Sequence, residues 1–331
     1  MNGTSLIKAQ ALWYISPKKA ELRQETLQDL NPNECRVRIV YSGISRGTES
    51  LVFHGQIPHS EWQRMQCPFQ VGEFSFPLKY GYCAVGVVEQ GSTDMIGKTV
   101  FSLFPHQTIA NIPVSALTVL PDNLPPERAI LLANMETALN AVWDASPSVS
   151  DRIVVVGAGV VGVLVAYLCT QIAGTDVTLV DVDASRQSLA TSLGVKFTLP
   201  NQAPQNCDVV IHASGNSVGL RTALSCSGNE ATVLELSWYG TKNVSLPLGE
   251  AFHAKRLKLI SSQVGQIPAS HRARWDFKRR INAAMNLLND ERLDALISHP
   301  IPFEDLATQL PNIFSATSNA LAPLVKYRTS C

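Results

Sequence analysis

Three glycines and one acid carry the most specific chemistry in this sequence. In DRIVVVGAGVVGVLVAYLCTQIAGTDVTLVD, residues 151–181, the run Ile153 to Gly157 reads as a strand buried on both faces. Gly157 permits a tight strand-to-helix turn, Gly159 lets the backbone approach a pyrophosphate, and Gly162 lets the helix pack closely on the sheet. The N–H groups that open this helix, at Val160 and Val161, face an anion together with the helix dipole. A second apolar strand, Val177 to Val180, ends in Asp181, where a carboxylate accepts hydrogen bonds from both ribose hydroxyls. Gly215, closing the later run DVVIHASG, completes the set expected to hold a dinucleotide. The pattern predicts a nicotinamide cofactor. Asp181 and Asp183 would repel a 2′-phosphate, which favours NAD over NADP. Arg186 keeps NADP open, although its expected place is solvent on the following helix. The plain alternative is a glycine turn in an α/β protein that binds no nucleotide.

The elements that would position this turn follow from the rest of the chain. The first 125 or so residues are short β-rich pieces broken by Gly and Pro, with strands expected at Cys35 to Tyr41, Gly81 to Gln90 and Thr99 to Phe104. Pro125 and Pro126 then open a helical stretch, PERAILLANMETALNAVWDA. From Ile153 onward strands and helices alternate, the α/β pattern of a parallel sheet. Ala273 to Asn289 reads as a basic amphipathic helix with a solvated charged face. The closing segments HPIPFEDLATQLPNIFSA and ALAPLVKY read as a helix and a strand that return to the first domain.

Composition bounds the partners. A chain of 331 residues exceeds one compact core, so two domains are expected. Lys and Arg (27) balance Asp and Glu (27), leaving no net field for nucleic acid or an anionic membrane, and small molecules are the expected partners. The N-terminal residues mix charges unlike a secretion signal, and no apolar run is long enough to span a bilayer. Seven cysteines in scattered apolar contexts, with no CxxC, suit the reducing cytoplasm.

A β-rich first domain, a bridging helix, a dinucleotide-binding domain from about residue 150 and a short return segment resemble the medium-chain dehydrogenase/reductase, alcohol dehydrogenase-like superfamily over nearly the whole chain. SGISRGTESLVFHGQIP (42–58), PLKYGYCAVGVVEQG (77–91) and GKTVF (97–101) resemble its signature segments. The resemblance implies a GroES-like catalytic domain at 1–125 and 296–331, and a Rossmann doubly wound parallel-sheet domain at 126–295. It also implies hydride exchange with an alcohol or carbonyl substrate.

The departures from the family bear on the metal. Where zinc-binding relatives place their ligands, this chain has Ser45 or Arg46, Tyr82, and Ala133 or Asn134. Hydroxyls, phenols and amides are poor zinc ligands, so no metal is predicted. The counter-reading is an irregular set drawn from Glu49, Cys83, His106 and Glu136. The SxxTE form, Ser45, Thr48 and Glu49, is similar to a zinc-lacking, bacteriochlorophyllide dehydrogenase-type branch. Without a metal, side chains must handle the hydroxyl proton. Thr48 matches the family's relay hydroxyl; its alternative is a helix cap, with Glu49 completing the turn. Tyr82 replaces a ligand and can donate to a carbonyl; its alternative is a core tyrosine. His106, in FSLFPHQ, is the candidate shuttle on a loop. Glu136 and Asn134 are further candidates to line the site, and Arg46 matches a basic position used against the cofactor pyrophosphate. Phe53, Trp62, Phe69, Phe74, Phe76 and Phe104 hint at a planar substrate or simply at core. A zinc-independent NAD-dependent oxidoreductase acting on a secondary alcohol or ketone, working as a homodimer through an edge strand from 231–240 or 257–265, is the expectation. An NADPH-dependent quinone or enone reductase and a non-catalytic nucleotide-binding protein are the alternatives.

Overall fold

Near-continuous apolar strands alternating with helices can bury both strand faces only in a parallel sheet, and residues 152–261 form one. The computed structural model describes residues 7–328. It divides the chain into two compact units, Met1–Ala133 with Ile297–Cys331, and Asn134–Leu296. Cys331 and the outermost ends of the expected first domain lie outside the described residues.

The second unit contains β1 (Arg152–Val156), α1 (Val160–Thr170), β2 (Asp176–Val180), β3 (Lys196–Thr198), β4 (Cys207–His212), α2 (Ser217–Cys226), β5 (Ser227–Glu235) and β6 (Lys258–Ser261). All pairings are parallel and the order is β3-β2-β1-β4-β5-β6, the Rossmann order. The order reverses at β1, so β2 and β4 flank it on opposite sides and a crevice opens at its carboxyl end. Ile153 to Val156 are buried, as are Val163 to Cys169 of α1, which explains why both read as unbroken apolar runs. β3 and β6 are the two edges; β5 is interior, so the strand within 231–240 is not an edge strand.

In the first unit a seven-stranded sheet centres on Glu34–Gly43, paired antiparallel with Ala84–Gln90 and with Ala322–Lys326 from the C-terminal segment. A four-stranded sheet adds Lys8–Ser16 and Lys19–Thr26. The return segment holds one strand more than its sequence suggests: Ile297–Pro302 runs parallel to Ala322–Lys326 at the sheet's edge. Its prolines argue against a strand in general, yet an edge tolerates them.

Two helices differ from expectation. The stretch after Pro125 splits into Pro126–Ala129 and Leu132–Ala145. Ala129 to Leu132 are all buried, more consecutive burial than one helical stripe provides, and the chain turns there. The basic helix starts at Phe277, not Ala273, because the Asp276 side chain accepts the Arg279 N–H and caps it. Its charges are also not all solvated, since Arg280 is buried.

Candidate functional site

The glycine turn of the second unit is packed so tightly at two positions that a side chain would not fit. Gly157 adopts φ +113°, and a Cβ there would lie 2.7 Å from the Ser214 backbone nitrogen. At Gly162 a Cβ would meet the Gly157 carbonyl oxygen at 1.9 Å, so α1 packs against the turn only with glycine. Gly159 differs: a Cβ would meet nothing within 4 Å, and the residue caps α1 without a side chain. The first intrahelical bond runs from Val163 N–H to the Gly159 carbonyl, leaving the N–H groups of Val160 and Val161 at the helix mouth.

Asp181 follows β2 beside this turn. Its Oδ2 accepts the Ala158 N–H at 2.6 Å and its Oδ1 accepts the Asp183 N–H at 2.9 Å. Each oxygen keeps a lone pair for another donor. Arg186 does not stand in solvent as expected. Its side chain is mostly buried and pairs with Asp183 at 3.2 Å. Bonds from the Ser185 hydroxyl and N–H, with Arg186 nearby, hold the Asp183 carboxyl below its usual range. Gly215, at φ +65°, sits in the loop after β4 with open space at its Cβ position.

In the first unit, helix Arg46–Phe53 gathers the hydroxyl candidates. Thr48 does not cap it: Ser45 is the N-cap, and Glu49 reaches back to accept the Ser45 N–H at 2.8 Å. Thr48 and Ser45 instead stand close enough to the Tyr82 hydroxyl to bear on its pKa. Burial, and then the nearby Cys83 and Glu49, push the Tyr82 phenol above its ordinary pKa, so it remains a proton donor through the neutral range. Three positions that resemble ligand and relay positions thus bring their hydroxyls near one another.

Behind them lies a buried network that the sequence did not reveal. Glu49 has no exposed surface; its Oε2 accepts the Tyr14 O–H at 3.2 Å and lies 3.0 Å from His106 Nε2. The His106 Nδ1 lies 2.7 Å from Ser42 Oγ, which lies 2.9 Å from the Tyr327 hydroxyl. Gly81, at φ +137°, packs on the ring, where a Cβ would lie 2.9 Å from His106 Cδ2. His106, on the loop the sequence placed it in, is therefore buried with both ring nitrogens engaged. Ser42 lies in Glu34–Gly43 and Tyr327 directly follows Ala322–Lys326, far apart in sequence, and no local pattern joins them. A glutamate following an apolar-flanked SxxT was the available signal for the third member.

Arg46 also departs from expectation. Its guanidinium donates to the carbonyls of Ile313 at 2.9 Å, Ser315 at 3.2 Å and Ala320, closing the helix Leu306–Ile313 within its own unit. That role competes with a pyrophosphate contact. Glu136 is paired within its own unit: Arg280 Nε donates to it at 3.0 Å, while the same guanidinium reaches Asn140 Oδ1 at 2.6 Å and the Val264 carbonyl at 2.6 Å. Asn134 is buried nearby in sequence on the same helix. Among the described residues no group of three His, Cys, Asp or Glu side chains could hold a metal ion. Of the six aromatic side chains, Phe53, Phe74 and Phe104 are buried, and Phe53 meets Tyr14 and Phe314, while Trp62, Phe69 and Phe76 are half-buried.

No family model matches the sequence. D-guloside 3-dehydrogenase of Escherichia coli K12 is 25% identical over 303 residues, 82% of this chain and 86% of that protein. An alcohol dehydrogenase of Escherichia coli CFT073 complexed with NADH has a similar structure, with TM-score 0.76 and 15% identity over 96% of this chain and 99% of the other. TarJ of S. aureus in complex with NADPH gives TM-score 0.74 and 15% identity over 98% and 100%. At such identity the structural likeness establishes the fold.

Proposed function

We propose that this chain is a member of the medium-chain dehydrogenase/reductase superfamily and a zinc-independent, NAD(H)-dependent oxidoreductase acting on a secondary alcohol or its ketone. The reading rests on Asp181, whose carboxylate is bonded to the glycine turn yet retains acceptor capacity at the end of β2. Gly157, Gly159, Val160, Val161 and Gly162 would receive the pyrophosphate, Asp181 a ribose, and Gly215 would flank the dinucleotide. The open space at Gly159 fits that assignment, and Arg186 is held by Asp183 where a 2′-phosphate would need it released. When bound, nicotinamide supplies the hydride acceptor, or the donor in the reverse direction.

The chain's own residues serve the substrate oxygen. Tyr82, kept protonated, donates a hydrogen bond to it, and Thr48 and Ser45 extend the hydroxyl chain along which a proton leaves or arrives. These donors take over what a Lewis acid does for the oxygen in a zinc enzyme. Glu49 and His106 hold helix Arg46–Phe53 and the Gly81–Tyr82 segment in register from behind. Six buried free cysteines, among the described residues, favour a reducing cytoplasmic compartment, and no helix there is long and apolar enough to cross a membrane. A homodimer would pair through β6, where Leu259 and Ile260 stand partly exposed on an open edge.

Paired fluorescence titrations of the metal-stripped protein with NADH and NADPH test the reading. NADH should bind preferentially, and Asp181→Ala should weaken it about tenfold or more while Lys278→Ala leaves it unchanged. Preference for NADPH would move the assignment to a quinone or enone reductase. Tight NADH binding with no turnover across alcohols and carbonyls would make the protein a nucleotide sensor.

A further inference from the structure

The carboxyl ends of β4 and β5 carry a polar network that the proposed reaction does not use. His212, the last residue of β4, is fully buried. Its Nδ1 lies 2.9 Å from both oxygens of Glu235, the last residue of β5, and its Nε2 lies 2.6 Å from Ser214 Oγ. Glu235 also accepts the Ser237 N–H at 2.7 Å and the Tyr239 O–H at 3.0 Å. Ser237 Oγ in turn accepts the Gly215 N–H at 3.0 Å, and Ser214 Oγ accepts the Asn216 N–H at 3.3 Å. An ionised carboxylate only accepts, so Nδ1 carries a proton toward Glu235 and a neutral ring accepts the Ser214 O–H at Nε2. Loop 213–216 and loop 236–239 are thereby tied through one imidazole.

The position of the network points to a ligand. Loop 213–216 stands directly on the glycine turn, where a Cβ at Gly157 would crowd Ser214 N at 2.7 Å. Gly219 of α2 leaves the room the network needs: a Cβ there would lie 2.2 Å from Ser214 Oγ and 2.9 Å from His212 Nε2. Gly215, by contrast, faces open space, as Gly159 does. A buried histidine in an otherwise apolar strand is costly unless every polar atom is satisfied, and an aliphatic residue would hold β4 without that demand. β2 and β4 lie on opposite sides of β1. A dinucleotide with its pyrophosphate on the turn and one ribose at Asp181 must extend its other half toward β4 and β5.

We propose that His212, with Ser214 and Glu235, is a positioning device for the nicotinamide half of the dinucleotide, holding the loops after β4 and β5 in the shape that receives it. The proposal rests on the dinucleotide reading above. Calorimetric titration with NADH and with ADP, which lacks the nicotinamide half, tests it on the full-length protein. His212→Gln and Glu235→Gln should each weaken NADH about tenfold and leave ADP within about twofold. Ser214→Ala, which keeps the buried pair and frees only the loop, should show the same selective loss and serves if the other variants fold poorly. Parallel losses for both ligands would reduce the network to general support of the unit and overturn the proposal, as would unchanged NADH affinity in all three variants. Wild-type protein binding neither ligand would instead defeat the dinucleotide reading itself.

Discussion

Glu49 concentrates three donors on one carboxylate with no exposed surface, and removing its charge leaves those donors facing an amide. Glu49→Gln should lower stability by about 2 kcal/mol or more, read as a shift in the urea midpoint, because unsatisfied buried donors lose their full desolvation cost. An unchanged midpoint would show that Tyr14 and His106 find other acceptors. Tyr82 tests a different role, since its phenol, raised in pKa by burial, stands near Ser45 and Thr48. Tyr82→Phe should reduce kcat on the order of a hundredfold with NADH affinity unchanged. A loss confined to KM would make the phenol a substrate contact and not a donor to the reacting oxygen.

At the scale of elements, two glycines of one turn should separate folding from binding. Gly162→Ala drives a methyl into the Gly157 carbonyl at 1.9 Å and should lower both the thermal midpoint and NADH affinity. Gly159→Ala meets no protein atom within 4 Å and has an ordinary φ of −72°. It should leave the thermal midpoint unchanged while weakening NADH, because the methyl takes space that a pyrophosphate needs. Equal behaviour of the two variants in melting experiments would remove the assignment of that space. The helix α3 (Phe277–Asn286) is docked by Arg280, whose guanidinium joins Glu136, Asn140 and the Val264 carbonyl. Its sequence shows a run of basic residues, and amphipathic periodicity alone did not distinguish the buried arginine from its solvated neighbours.

For the whole molecule, alkaline stability follows from the cysteines. Burial pushes the Cys67 and Cys169 thiols up to about 12 from an ordinary 9.0. Above pH 9 the unfolded chain releases these protons while the folded chain keeps them, so folding stability falls with rising pH. The slope should approach about 1.4 kcal/mol per pH unit for each thiol between the two values. Urea titrations at pH 8 and pH 10 measure it, and native protein at pH 8 should leave both thiols unreactive toward a disulfide reagent. Assembly is the second property at this scale. Replacing Ile260 on the open edge of β6 with Lys should shift the protein from dimer to monomer in light scattering without changing its circular dichroism. A wild-type monomer would end the edge-pairing proposal.

The dinucleotide unit was legible in the chain because its signals are local. Gly157, Gly159 and Gly162 stand within six positions of one another, and unbroken apolar runs mark strands buried on both faces. The family resemblance rested on similar short segments. What those segments could not express is partnership across distance. Ser42, Glu49, His106 and Tyr327 meet only because Ala322–Lys326 pairs with Glu34–Gly43, and His212 meets Glu235 only because β4 and β5 lie side by side. A charged or polar residue in a sequence carries its chemistry but not its partner. Tertiary structure decided that Arg46 serves carbonyls, that Arg186 serves Asp183 and that His106 is buried, because hydrogen bonds are satisfied in space and not along the chain.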